Sequence, residues 1–240
     1  MNARWKFGLI TAVALLSIFV TLSLGRWQLG RAAQKQALQN STEAQGQLTR
    51  LDAPALIAST DALRDVHRRV LLRGQWLGQH TVLLDNRQMN GKVGYYVVTP
   101  LQLEGESAVV LVQRGWLARN FLDRNATPQV DTPVGVVTLE GRIAPPPSKL
   151  YELGSSSEGL IRQNIDLASF KAETGVPLLN VSVQQTGALS EGLLREWPVL
   201  GSGVDKHYGY AFQWFALSGL IAILYVWFQI VRRFIFPRRR

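Results

Sequence analysis

Cysteine is absent from all 240 residues. Its absence excludes a disulfide framework, a thiolate metal site and covalent c-type haem attachment. It leaves the compartment undetermined by redox chemistry, because a cysteine-free chain is safe in an oxidising space. Soft and imidazole ligands are scarce too: three histidines and two methionines are too few for a copper chaperone. No G-x-S-x-G elbow, H-E-x-x-H helix or Walker loop occurs, and GSSSEG and GSG lack the required spacings and read as solvated turns. There is no internal repeat and no low-complexity tract. Acidic residues are missing from both ends, before Glu43 and after Asp205.

That last absence explains the charge. The formal net charge is +9 and the sequence pI near 10.2, which invites a nucleic-acid reading. From Gly25 to Lys206, however, 19 Lys and Arg face 17 Asp and Glu, a net of +2. The other seven basic residues lie in two short tails, so no nucleic-acid partner is expected. The tails flank two runs without Lys, Arg, Asp, Glu or His, Phe7 to Leu24 (18 residues) and Tyr210 to Val231 (22 residues). At ~1.5 Å per residue these extend roughly 27 and 33 Å, matching a hydrocarbon core of about 30 Å.

The first run is long for a signal-peptide core and ends in LGRWQLGR rather than a small-x-small cleavage site, so a retained anchor is favoured. Basic tails outside both runs place both termini in the cytoplasm. The expected order is a cytoplasmic tail at 1–6, spans at 7–24 and 210–231, a domain at 25–206 on the far side, and a basic tail at 232–240. No Arg- and Ser-rich presequence precedes the first span, which favours a bacterial inner membrane, multi-pass, with a periplasmic central domain.

After the first span, Trp27, Arg31 and Lys35 recur every four residues, predicting a helical extension over about 25–39. Trp27 fits an interfacial belt, with Arg26 and Arg31 reaching lipid headgroups. Ser17, Thr21 and Gly25 form a small-residue row that permits close approach of another helix, most obviously the second span. From Val66 the pattern changes to short β-type runs: VLLRGQW, TVLLDNR, YYVVTPLQL, AVVLVQRGW, VVTLEGRI, LIRQNI and LNVSVQQ. Asn90-Gly91 and EGES at 104–107 predict two consecutive hairpins, and DLASFKAETG a short helix between Asp166 and Gly175. The fold class is a membrane protein with two transmembrane helices flanking one β-rich α+β exterior domain.

Few residues could carry chemistry. His67 and His80 sit in or beside strands and read as ordinary packing or surface residues. His207 precedes the second span and shares a helical face with Tyr210, Ala211 and Trp214. A neutral imidazole there can ligate haem iron, with aromatic neighbours and small Ala211 making room for a macrocycle. On the residues alone, an aromatic belt with a snorkelling polar residue is the simpler reading. Arg87 and Arg114 each close a β-run and suit carboxylates or phosphates. A surface arginine paired with a local acid such as Asp85 explains each as well. An enzyme clamping an anionic lipid with this pair is disfavoured, because no nucleophile, metal or general acid and base accompanies it.

Four motifs in order, LGRWQLGRAAQK, LLDNRQMNGKVGYYVVTPL, VLVQRGW and HYGYAFQWF, resemble the Surfeit-locus (Surf/Shy) assembly factors of cytochrome c oxidase. With the two spans they cover the whole chain. The resemblance implies a non-enzymatic inner-membrane chaperone that matures oxidase subunit I or its assembly intermediates, with haem a as a transient cargo and haem a synthase as a further neighbour. It implies that His207, matching HxxYAxxWF, contacts haem iron. It also implies that Tyr210 and Trp214, with Gly25, Trp27, Gln28 and Arg31 of the first motif, help hold cofactor or partner. Gln213 stands where relatives often have threonine. The alternative is a haem-independent scaffold for the nascent subunit.

Overall fold

A computed structural model describes residues 3–59, 64–119, 128–147, 159–198 and 203–235. Most of the GSSSEG stretch and the last five residues of the basic tail lie outside that set. The chain divides into a helical unit, residues 1–40 with 199–240, and a β-rich unit, residues 41–198.

The helical unit pairs α1 (Ala3–Gln47), which continues into the second unit, with α4 (Val204–Tyr225). Helix α1 runs well past residue 39 because 26–45 is rich in Ala, Leu, Gln, Lys and Arg and free of proline. Both helices are long and apolar enough to cross a membrane, and only 6% of each apolar window is buried. What they bury is small: Thr21, Gly25 and Ala32 on α1, Ala211 and Ser218 on α4. The seven-residue steps from Gly25 to Ala32 and from Ala211 to Ser218 keep one seam facing the partner. At Gly25 the approach is close, since an added Cβ would lie 2.6 Å from the Phe215 ring. The predicted small-residue row therefore does meet the second helix. The Thr21 hydroxyl is satisfied within its own helix, Oγ1 donating to the Ser17 carbonyl at 2.8 Å. Helix α4 starts after Gly203, left-handed at φ 83°, so His207 lies inside its first turn, and beyond Tyr225 the chain continues as π-helix Val226–Ile235.

In the β-rich unit, β1 (Arg69–Trp76), β2 (Val82–Met89), β3 (Lys92–Leu103), β4 (Val109–Ala118), β5 (Val136–Ala144), β6 (Ile161–Arg162) and β7 (Leu178–Gln185) form one sheet, ordered β1-β5-β7-β4-β3-β2-β6. Strand β1 also pairs with β3 through Gly74–Trp76, so β1, β5, β7, β4 and β3 close a five-stranded ring. Gly74 permits the closure: a Cβ there would sit 2.2 Å from the Gln102 carbonyl oxygen. Closure covers the free edge of β1. Both predicted hairpins form. Asn90 and Gly91 take φ of 52° and 75° between β2 and β3, as the tight hairpin turn requires, and β3 and β4 pair from Gly94 to Gln102.

Central β4 pairs β3 on one side and, in parallel, β7 on the other. It is buried from Val109 to Trp116, which explains the unbroken apolar run AVVLV. Val110 and Val112 point into a core with Leu72, Leu101, Leu139, Ile143 and Val183, which Leu56 of α2 (Ala53–Ala58) joins. Val109 and Leu111 point the other way, towards Phe170 of α3 (Leu167–Thr174). Helix α3 has the predicted limits: Asp166 Oδ1 accepts from the Ser169 N–H at 3.0 Å, and Gly175 ends it at φ 69°. The LIRQNI run shrinks to Ile161–Arg162, because the Gln163 carbonyl accepts from Arg87 instead of extending a ladder.

Candidate functional site

Polar side chains meet across the seam near both of its ends. Thr11 Oγ1 lies 3.0 Å from the Tyr225 hydroxyl, and His207 Nδ1 lies 2.7 Å from Gln28 Oε1. The order shows that the helices run antiparallel. The contacts are seventeen residues apart on α1 and eighteen on α4, about 26 Å at ~1.5 Å per residue.

Helical spacing sorts the first motif. Gly25, Gln28 and Ala32, at i, i+3 and i+7, turn towards α4. Trp27 is 57% exposed, and Arg31 is exposed with its guanidinium donating to Gln34 Oε1 at 3.0 Å. Of the two, neither reaches the His207 contact; both lie on the outer face. On α4, Ala211 is sealed, His207 and Trp214 are half-buried, and Tyr210 is 51% exposed. The expected shared face therefore spreads from the seam outwards.

His207 is the one histidine at this seam. Its Nδ1 is engaged by Gln28, while Nε2 has no hydrogen-bond partner among the described residues and is not sealed in protein. A ring nitrogen without a partner among the described residues, on a helix face shared with half-exposed Tyr210, is compatible with what an iron porphyrin requires: an imidazole donor and flat aromatic surface. Gln28 entered the sequence reading only through its motif. Its contact spans 179 positions, beyond any local pattern.

Arg87 and Arg114 are not the surface cations that the sequence suggests: both are buried. Arg114 is 0% exposed: Nη1 donates to Thr132 Oγ1 at 2.9 Å, Nη2 to the Asp131 carbonyl at 2.7 Å and to Glu191 Oε2 at 3.0 Å. Its guanidinium also lies 4.8 Å from the Trp76 ring centroid. Arg87 is 4% exposed and donates to the Gln163 carbonyl at 2.7 Å, 5.8 Å from the Tyr96 ring centroid. Burial lowers the Arg87 pKa and raises that of the Tyr96 phenol. Asp85 takes Arg119 at 2.7 Å. As contacts for an outside anion or partner, both arginines would first have to surrender these internal bonds. His67 sits in a turn at φ 77° and His80 in the 3-10 turn Gly78–His80. No cluster of three His, Asp or Glu that could hold a metal ion occurs among the described residues.

Residues 15–219, most of the chain and both sides of the His207 contact, match the sequence model of the SURF1 family. The chain belongs to the SURF1 family. Within it, a SURF1-like protein of Rickettsia bellii is 24% identical over 220 residues, covering 88% of this chain and 87% of the relative. A Drosophila melanogaster SURF1-like protein is 28% identical over 251 residues, covering 91% and 77%. The Saccharomyces cerevisiae cytochrome oxidase assembly protein SHY1 is 29% identical over 112 residues, covering 46% of this chain and 28% of the relative.

Proposed function

We propose that this SURF1-family protein is a membrane assembly factor of cytochrome c oxidase that holds haem a at the outer edge of its helix pair and presents it to subunit I. The carrying observation is His207, half-buried at the end of an apolar seam, with one ring nitrogen tied to Gln28 and the other without a partner among the described residues. Family membership and the SHY1 relative support the oxidase assembly role. Two apolar helices with almost nothing buried support two membrane crossings. In this reading both termini are cytoplasmic, the β-rich unit is periplasmic, and the membrane is the bacterial inner one.

His207 would supply the ligand to iron, and Tyr208, Tyr210 and Trp214 flat surface for the macrocycle. Haem a is cargo, so no bond is broken and no catalytic residue is required. Purified from cells that make haem a, the protein should show a Soret band that His207→Ala removes; a wild-type spectrum without that band refutes haem holding. The closed, internally bonded β-rich unit favours a second reading, a scaffold for nascent subunit I. That reading gains if His207→Ala leaves both haem content and oxidase assembly intact.

A further inference from the structure

We infer that Gln28 is the positioning residue for His207: its side-chain oxygen holds Nδ1–H, which leaves Nε2 unprotonated and able to act as a ligand. The identity of the ligand rests on the haem-holding reading above, whereas the tautomer does not.

A distance of 2.7 Å lies at the short end of N–H···O hydrogen bonds, so the two side chains form a donor and acceptor pair. A neutral imidazole carries one N–H, and whichever nitrogen donates leaves the other with its lone pair. With the Gln28 oxygen facing Nδ1, the free pair lies on Nε2, the nitrogen with no partner among the described residues. The register that brings them together is set next door. Gly25, one turn before Gln28, lets the Phe215 ring approach, and Ala32, one turn after it, is fully buried. Trp27 and Arg31 face outward, so Gln28 is the side chain of the motif that meets the imidazole.

The acceptor is an amide, not the carboxylate that often backs a metal-bound histidine. A carboxylate draws the proton and raises ligand basicity, whereas a neutral amide orients the ring and leaves its basicity modest. Oriented but modest ligation suits a protein that must release what it binds.

The test uses the full chain in lipid nanodiscs. In the haem-free protein, long-range 15N correlation spectra should show His207 as the Nδ1–H tautomer. Q28L should shift it to Nε2–H, and Q28E should keep Nδ1–H. Haemin titrations should then show affinity about 10- to 100-fold weaker in Q28L and rescued in Q28E, with a lower reduction potential than wild type. Q28E also guards against Q28L acting only through misfolding. An Nε2–H tautomer in wild type, or unchanged haemin affinity in Q28L, overturns the inference. If wild type shows the Nδ1–H tautomer that Q28L abolishes yet binds neither haemin nor haem a, the positioning stands and the haem reading falls.

Discussion

Replacing Arg114 by methionine should destabilise the protein severely without touching any ligand site. The guanidinium is sealed from solvent and makes three hydrogen bonds, to Thr132, the Asp131 carbonyl and Glu191. Hydrogen bonds to a charged group contribute about 1.5–3 kcal/mol each. Relief from burying the cation returns several kcal/mol. The net cost of breaking such a buried pair is then about 3–5 kcal/mol. Glu191→Gln keeps the shape and removes the charge, and the double variant should cost less than the two singles together by about 0.5–3 kcal/mol. Denaturant unfolding of the full chain in detergent, followed by tryptophan fluorescence, reads this directly, because the Trp76 ring lies 4.8 Å from the guanidinium. A loss below about 1 kcal/mol would refute the structural role. So would a stable R114M protein that fails in oxidase assembly, since Arg114 would then serve an outside partner.

Two further outcomes follow from the packing and the titrations. Gly25→Val should splay the helix pair, an overpacking cost of about 1–3 kcal/mol, and Phe215→Ala should recover much of it; crosslinking between cysteines placed across the seam checks this, and absence of rescue would discount the contact. Burial first, then the Arg142 cation, holds the His67 imidazole below its usual range. The unfolded chain therefore takes the proton first, so this contribution to stability is full above about pH 6.5 and is lost as pH falls from there through the folded pKa. His67→Asn tolerates the positive φ and should flatten stability across that window; an unchanged pH profile would show that His67 does not contribute.

Local chemistry was legible wherever a residue's role depends on its neighbours in sequence. Asn90-Gly91 had to be a tight turn between two alternating runs, and Asp166 and Gly175 had to bound a helix, because their conformations follow from their own side chains. Ring closure was not legible, since it depends on Gly74 meeting Gln102 across 28 positions. The arginines failed for the same reason. Arg114 looks like a surface cation until Glu191, 77 residues away, folds over it. Even LIRQNI, with a strand's composition, surrendered its ladder to the Arg87 side chain. The Surf motifs located the candidate site, but only three-dimensional placement separated inward Gly25 and Gln28 from outward Trp27 and Arg31.

What marks His207 is its place at one end of the helix seam. Its contact with Gln28 and the Thr11–Tyr225 contact lie about 26 Å apart, close to a hydrocarbon thickness of about 30 Å. Polar side chains at such ends can satisfy each other across the seam while keeping one face towards water; at mid-span the same groups would be buried in hydrocarbon. Under the proposed topology the imidazole would stand at the boundary between lipid and water, with access to both, where His207 could hold the iron of a haem and exposed Tyr208 and Tyr210 could offer aromatic surface. Moving the His207–Gln28 pair one helical turn towards the middle of the seam would keep every ligand atom and lose that access.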